Sequence, residues 1–213
     1  MEAAYMPATD VGGDFYHVIE HLDATVLLIG DVSGKGLKAA LTGLLTIGAA
    51  SALAAECTTP GQLLARLNRE VVRLQKGGFI TCLCALIGGD GNVTLANAGH
   101  PHPYLDGREI ELDSGLPLGI SVDTEYSETR FNLSPGDTLT LLSDGVVEAR
   151  NAAGELFGFE RAAQIATEPA KKIAQAAQQH GQEDDITVLT LRFAPAAVAH
   201  VQRPAGAFYR CLP

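Results

Sequence analysis

Four acidic sites occur where an apolar run of the sequence gives way to a turn. They are Asp14, Asp31, Asp144 and the adjacent pair Asp184–Asp185. A carboxylate at a strand end is held by a rigid element while it faces an open site, but several carboxylates brought together repel one another unless cations neutralise them. Hard cations such as Mg²⁺ and Mn²⁺ prefer such oxygen ligands. The pattern therefore predicts that folding gathers the aspartates into a metal site.

The segment 30–36, Gly-Asp-Val-Ser-Gly-Lys-Gly, is the richest local candidate. Asp31 ends a β-branched apolar run and could bridge two cations, while the backbone carbonyl of Val32 could supply another oxygen. The later glycines allow a sharp turn into a helix. The spacing is not that of a phosphate-binding P-loop, which requires Gly-x-x-x-x-Gly-Lys-Ser/Thr. On this segment alone, a glycine-rich strand–turn–helix junction with a capping aspartate is the alternative.

Periodicity predicts the elements that position these residues. The predicted strands cover residues 3–8, 13–19, 24–30, 79–87, 93–97, 126–133, 138–142 and 186–193, with short ones near Tyr104 and Ile110. The predicted helices cover residues 37–55, 60–74, 159–167 and 170–179. The most apolar stretch, Ala39 to Ala55, is interrupted by hydroxyl residues and is interpreted as a buried helix rather than a membrane span. Hairpins with one helical block early and another late favour an antiparallel α+β layered fold over β-α-β alternation.

Composition bounds the class of protein. A chain of 213 residues is long enough for one domain with a sizeable core. The net charge of −10 and the lack of a dense Lys/Arg block argue against nucleic acid or an anionic membrane as a partner. Four cysteines without a Cys-x-x-Cys pair or a secretory signal favour a reduced, cytoplasmic setting, with Cys82 and Cys84 as core residues on one strand face. The chain begins almost at its first strand, which would suit the catalytic end of a longer regulatory protein.

Six motifs occur in order along the chain. They are Val11-Gly12-Gly13-Asp14-Phe15-Tyr16, Gly30-Asp31-Val32-Ser33-Gly34-Lys35-Gly36, Asn97-Ala98-Gly99-His100-Pro101, Pro117-Leu118-Gly119, Ser143-Asp144-Gly145-Val146-Val147-Glu148-Ala149 and Asp184-Asp185-Ile186-Thr187. Together they resemble the bacterial SpoIIE/RsbU branch of the metal-dependent phosphatase 2C (PPM) family. The resemblance runs from about Ala4 to Arg192.

The resemblance implies a phosphatase domain over residues 1–194, followed by an irregular tail over 195–213. The implied fold is α+β, with an antiparallel β-sandwich flanked by helices on both sides in four layers (α/β/β/α). Two Mn²⁺ or Mg²⁺ ions would lie at one end of the sandwich. The implied reaction removes phosphate from phosphoserine or phosphothreonine in a protein, and the usual substrate in this branch is a small anti-sigma-factor antagonist.

The family's metal ligands carry over onto matching positions. Asp14 and Asp31, with the Val32 carbonyl, would hold one ion, while Asp31, Asp144 and Asp184 would hold the other. Two cations about 4 Å apart lower the pKa of a bridging water and neutralise charge on phosphoryl oxygens. No side-chain nucleophile is then required, which agrees with a sequence that contains neither a Cys-x₅-Arg loop nor a Gly-x-Ser-x-Gly elbow.

Other residues near these motifs have open roles. Asp185 stands where relatives often have Asn, so it ranks below its neighbour as a ligand. Glu148 could orient the metal site or be a surface charge. Lys35 is a candidate phosphate contact, with a solvated turn as the alternative, because no counterpart of the phosphate-binding Arg of eukaryotic relatives precedes Ala4. His17 replaces a residue that is often acidic, and we interpret it as a partly exposed strand histidine.

His100 and His102 form a His-x-His pair. As zinc ligands they would need a third nitrogen or sulfur ligand, which the spacing does not place, so we interpret them as loop-structuring residues.

The leading hypothesis is a two-metal protein serine/threonine phosphatase. A phosphatase-like domain that binds a partner or metal without turnover is one alternative. A receiver-type phosphoacceptor module is another, but it would need β-α-β alternation and an early acidic pair. Residues 37–76 are the expected surface for a homodimer, an upstream sensor domain or a regulatory switch, although core packing explains the same apolar pattern.

Overall fold

The computed structural model describes residues 1–21, 24–74 and 77–194, so the predicted tail over 195–213 lies outside the described residues. In chain order, the strands are β1 (Glu2–Met6), β2 (Phe15–His21), β3 (Ala24–Val32), β4 (Ile80–Gly88), β5 (Asn92–Ala98), β6 (Tyr104–Leu105), β7 (Arg108–Glu109), β8 (Glu128–Asn132), β9 (Thr138–Leu142) and β10 (Ile186–Arg192). The helices are α1 (Leu37–Ala54), α2 (Pro60–Leu74), α3 (Asp144–Val147), α4 (Gly158–Ile165) and α5 (Ala170–Gly181).

The strands form two five-stranded sheets in which all paired neighbours are antiparallel. One sheet has the order β1-β10-β9-β6-β7, and the other has the order β2-β3-β4-β5-β8. Apolar side chains from both sheets fill the space between them. Helices α1 and α2 pack on the outer face of the β2–β8 sheet, and α3, α4 and α5 pack on the outer face of the other. The predicted four-layer α/β/β/α sandwich is therefore confirmed.

Strand β3 shows how the alternation of side chains positions a functional residue. Leu27 and Ile29 face the sandwich interior, whereas Val26 and Leu28 face the helices. Because side chains alternate with a period of two, Asp31 continues the interior row. Thr81 of β4 lies directly opposite Asp31 in the strand pairing. The carboxylate therefore lies at the end of the dry interior.

Helix α1 corrects the prediction of a buried helix. Its inward face consists of small residues, namely Ala39, Gly43, Thr46, Ala50 and Ala54. Its large side chains face outward, with exposed fractions of 65% for Leu37, 52% for Leu41, 64% for Leu44 and 61% for Leu45. The reason is close packing: a Cβ atom at Gly43 would already be in van der Waals contact with the ring of Phe15 on β2, at 3.4 Å, which leaves no room for a leucine. By length and composition α1 could cross a membrane, yet its small-residue face packs on β2, β3 and α2.

The remaining elements fall within a few residues of their predicted bounds. Cys82 and Cys84 are fully buried beneath α1 and α2, as expected for core residues. The clearest omission is α3, a four-residue helix predicted as a turn. Its first residue, Asp144, follows Ser143 in extended conformation, so the strand passes directly into the helix. Helices this short carry too little periodicity to be recognised from sequence.

Candidate metal centre

Polar side chains replace the apolar rows at one end of the sandwich. Those that are buried there are Asp14, Asn97, His100, Ser143, Asp185 and Thr187. Buried polar groups must find partners, and here they bond mainly to one another and to the backbone. This polar layer is the setting of the candidate site.

Three of the predicted ligands come together in this layer. Each of Asp14, Asp31 and Asp144 offers a carboxylate oxygen, and these oxygens all lie within 4.8 Å of one another. They come from the β1–β2 loop, the end of β3 and the start of α3. Throughout residues 1–21, 24–74 and 77–194, they are the only three metal-ligating side chains that converge in this way.

The electrostatics of this group suit a cation. Burial raises the pKa of Asp14 to about 8, although the Thr187 hydroxyl donates to its Oδ2 at 2.6 Å and lowers the pKa in part. Burial and then the negative charge of Asp144 raise the pKa of Asp31 to about 7. The pKa of Asp144 is raised by its own burial and next by Glu148. Without a cation these three carboxyl groups therefore tend to stay protonated, and a divalent ion would displace the protons.

Gly13 brings the backbone against the ligand oxygens. A Cβ atom there would lie 2.8 Å from the Val32 carbonyl oxygen and 3.2 Å from Oδ1 of Asp31. The Val32 N–H in turn donates to the Gly13 carbonyl at 3.3 Å. The predicted carbonyl ligand therefore lies beside the Asp31 carboxylate, and the donor set of carboxylates and a carbonyl fits a hard cation.

Asp185 turns inward and fixes the loop that carries Asp14. Its side chain is buried and accepts hydrogen bonds from the backbone N–H of Ala8 at 2.9 Å, of Gly13 at 2.7 Å and of Asp14 at 3.4 Å. From the sequence, Asp185 ranked below Asp184 as a metal ligand, and its hydrogen bonds to this loop were not predicted. The available signal was the glycine-rich loop itself, whose N–H groups need acceptors from elsewhere in the chain.

Asp184 points outward and lies outside the three-carboxylate group. Its carboxylate pairs with Lys35 Nζ at 3.6 Å, and the two side chains are 54% and 64% exposed. Lys35 also donates to the Glu183 carbonyl at 3.2 Å. The role of Asp184 as a ligand and that of Lys35 as a phosphate contact both stay predictions.

The other open residues lie around the centre. Glu148 is exposed, and its backbone N–H donates to the Asp144 carbonyl at 2.8 Å. His17 is partly exposed on β2 and bonds Ser51 of α1 at 2.7 Å. Both residues are therefore held near the motifs without joining the carboxylate group.

The two histidines of the His-x-His pair have separate partners. Nδ1 of His100 bonds Thr81 Oγ1 at 3.0 Å, whereas Nδ1 of His102 bonds Glu109 at 3.1 Å. In the part of the chain that the structure describes, neither histidine belongs to a metal-ligating group.

Sequence comparisons identify relatives along most of the chain. The family model described as Stage II sporulation protein E (SpoIIE) matches residues 22–194. Phosphoserine phosphatase RsbU of Bacillus subtilis (strain 168) is 35% identical over 161 residues, which cover 72% of this chain and 48% of RsbU. Protein IcfG of Synechocystis sp. is 27% identical over 196 residues, which cover 76% of this chain and 31% of IcfG. The chain thus spans half or less of the length of these curated relatives.

Solved structures share the fold. The SiaA-PP2C domain of Pseudomonas aeruginosa has a TM-score of 0.77 at 23% identity, with 90% of this chain and 85% of that chain covered. The RsbU and RsbW domains of a Mycobacterium tuberculosis protein have a TM-score of 0.76 at 25% identity, with 92% and 60% covered. The PP2C phosphatase domain of SpoIIE from Bacillus subtilis, solved with a regulatory fragment, has a TM-score of 0.70 at 19% identity, with 90% and 62% covered.

Proposed function

Since the chain belongs to the SpoIIE family of PP2C-type phosphatases, we propose that it is a metal-dependent protein serine/threonine phosphatase. The observation that carries the proposal is the convergence of three part-buried or buried carboxylates at the end of the sandwich. Such a group is unfavourable without a cation, because burial and then mutual repulsion raise the pKa values of Asp14 and Asp31.

The proposed cofactors are two Mn²⁺ or Mg²⁺ ions. Asp14, Asp31 and the Val32 carbonyl would hold one ion, and Asp31, Asp144 and Asp184 would hold the other. When bound, such a pair supplies an activated water and neutralises charge on a phosphoryl group. Asp184 would have to exchange its exposed contact with Lys35 for the second ion, which is a small cost because an exposed ion pair contributes little stability.

Ser143, Cys82 and Cys84 are not available as nucleophiles. Ser143 is fully buried, and its hydroxyl donates to the Asp185 carbonyl at 3.3 Å and accepts from the Thr187 N–H at 2.9 Å. Burial raises the pKa of Cys82 to about 12, and it also raises the pKa of Cys84 well above its usual range. Both thiols also lie on the helix-facing side of their sheet. The attacking group is therefore proposed to be water.

The proposed substrate is a phosphorylated cytoplasmic protein of the anti-sigma-factor antagonist type. Support comes from the relative named phosphoserine phosphatase RsbU and from the net charge of −10, which disfavours nucleic acid.

We expect the protein to hydrolyse a phosphoserine protein, and p-nitrophenyl phosphate, only when Mn²⁺ or Mg²⁺ is added. Phosphate release after treatment with a chelator and after return of the metal measures this dependence. Hydrolysis that survives the chelator would contradict the mechanism. Metal binding without turnover on either substrate would favour the alternative of a partner-binding module.

The exposed stripe of α1, formed by Leu37, Leu41, Leu44 and Leu45, is the proposed homodimer surface within residues 37–76. These leucines are spaced so that they lie on one side of the helix, and each is more than half exposed. Contiguous exposed apolar side chains of this size are typical of interaction sites. An upstream sensor domain is the other occupant that the same surface would suit.

We expect Leu41→Glu with Leu45→Glu to convert a dimer to a monomer, because two carboxylates in the stripe would be desolvated on association. Light scattering during size-exclusion chromatography measures the mass. Lys171→Glu, which is exposed on α5 against the other sheet, makes the same change of two charge units away from the stripe and is expected to keep the dimer. A wild-type protein that is monomeric at high concentration would contradict the homodimer.

A further inference from the structure

His100 is a buried imidazole in the polar layer that the proposed mechanism does not use. Only 3% of the residue is exposed. Its backbone is held from both sides by Asn97, whose Oδ1 accepts from the His100 N–H at 2.8 Å and whose Nδ2 donates to the His100 carbonyl at 2.8 Å. The fully buried Asn97 therefore fixes the ring at the end of β5, inside the sandwich.

The ring lies between β4 of one sheet and the end of β9 of the other. Its Nδ1 bonds the hydroxyl of Thr81 at 3.0 Å, and Thr81 is the residue directly opposite Asp31. Its Nε2 is buried and has no hydrogen-bond partner among the described residues, while the Leu142 carbonyl lies close enough to raise the pKa of the ring. Leu142 precedes Asp144 by two residues. One side of the ring thus contacts Thr81, which lies opposite Asp31. The other side approaches the end of β9, which leads to Asp144.

The protonation of the ring follows from these neighbours. Burial lowers the pKa of His100 to about 3, so the ring is neutral near pH 7 and carries one N–H. A carbonyl can only accept, so the proton belongs on Nε2, facing Leu142. Nδ1 is then the acceptor, and the Thr81 hydroxyl donates to it. A buried N–H without a protein hydrogen-bond partner costs free energy and is uncommon in folded proteins.

We propose that His100 is a positioning residue of the metal centre, which holds Thr81 and lies against the end of β9 so that the Asp31 and Asp144 oxygens stay within reach of the same ions. This inference rests on the proposed function. Groups that orient metal ligands without binding the metal typically change affinity or activity by about 10–100-fold when they are removed.

The test compares His100→Leu with His100→Gln, using His102→Leu as the matched control. Leucine removes both ring nitrogens, while the glutamine amide keeps one acceptor and one donor. Mn²⁺ affinity is measured by calorimetry, and turnover of p-nitrophenyl phosphate is measured at saturating Mn²⁺. We expect His100→Leu to weaken Mn²⁺ binding about tenfold or more. We also expect it to lower kcat with little change in KM, and His100→Gln to recover most of both losses.

His102→Leu is expected to match the wild type, because His102 bonds Glu109 and, at 3.4 Å, Ser114, while Asn97 keeps its two direct bonds to the His100 backbone without it. If His100→Leu does not fold, Thr81→Val removes the bonded hydroxyl at nearly constant volume and is expected to weaken Mn²⁺ binding in the same direction. Wild-type Mn²⁺ affinity in His100→Leu or in Thr81→Val would overturn the inference. So would equal losses in His100→Leu and His100→Gln. A wild-type protein that binds no Mn²⁺ would instead refute the proposed function.

Discussion

Replacing Asp31 by Asn is expected to reduce Mn²⁺-dependent phosphate release at least about 100-fold, because loss of a shared ligand should exceed the effect of losing a group that only orients one. Asp31 is the one side chain proposed to contact both ions. Asparagine keeps its shape and one carbonyl oxygen but removes the negative charge. Initial rates on p-nitrophenyl phosphate at saturating Mn²⁺, together with calorimetric Mn²⁺ affinity, measure the loss.

The loss should not come from unfolding. Burial and Asp144 raise the pKa of Asp31 to about 7, so its charge is unfavourable in the metal-free fold, and a neutral amide removes that repulsion. Thermal unfolding of the metal-free variant is therefore expected at or above the wild-type temperature. Asp123→Asn makes the same chemical change at an exposed loop position and should leave the activity unchanged. Full activity in Asp31→Asn would contradict the two-metal mechanism.

The position of Asp31 could be predicted because it follows from local rules. The run before it has the length and composition of a strand, and alternation then determines which face a residue occupies. The same rules predicted that Asp144 follows an apolar strand, and it lies two residues beyond the end of β9. Both aspartates therefore reached the same end of the sandwich once the two sheets stacked.

The orientation of α1 could not be predicted, because hydrophobicity was the wrong measure of its buried face. Leucines and small residues each form a stripe along this helix, and the leucine stripe is the more hydrophobic. Close approach of Gly43 to Phe15 decides in favour of the small residues. That contact joins separate elements and leaves no mark on the periodicity.

The roles of Asp184 and Asp185 could not be separated for a related reason. Adjacent residues at the start of a strand point to opposite sides, but which one turns inward depends on how that strand is placed. Here β10 lies between β1 and β9, and its register brings Thr187 opposite Tyr5 of β1. Asp185 is thereby directed at the glycine loop and Asp184 at solvent.

This division of roles yields a prediction about stability. Asp185→Ala is expected to destabilise the metal-free protein by about 2–3 kcal/mol, because the N–H groups of Gly13, Asp14 and Ala8 lose a charged acceptor. Relief of repulsion with Asp31 offsets part of the gross loss. For a chain of this size the midpoint of thermal unfolding should fall by roughly 5–10 °C. Asp185→Asn, which keeps one acceptor oxygen, should lose less.

Asp184→Ala is the matched control, since the same substitution one residue earlier removes an exposed carboxylate whose partners among the described residues are exposed Lys35 and the Asp185 N–H. Its unfolding free energy should change by less than about 0.5 kcal/mol, as for most surface substitutions. Mn²⁺ affinity should nevertheless fall, because Asp184 is a proposed ligand of the second ion. Calorimetry and metal-free thermal unfolding on both variants separate the two effects. Equal losses of stability in the two variants would contradict these separate roles, because Asp185 would then stabilise the glycine-rich loop no more than Asp184 does.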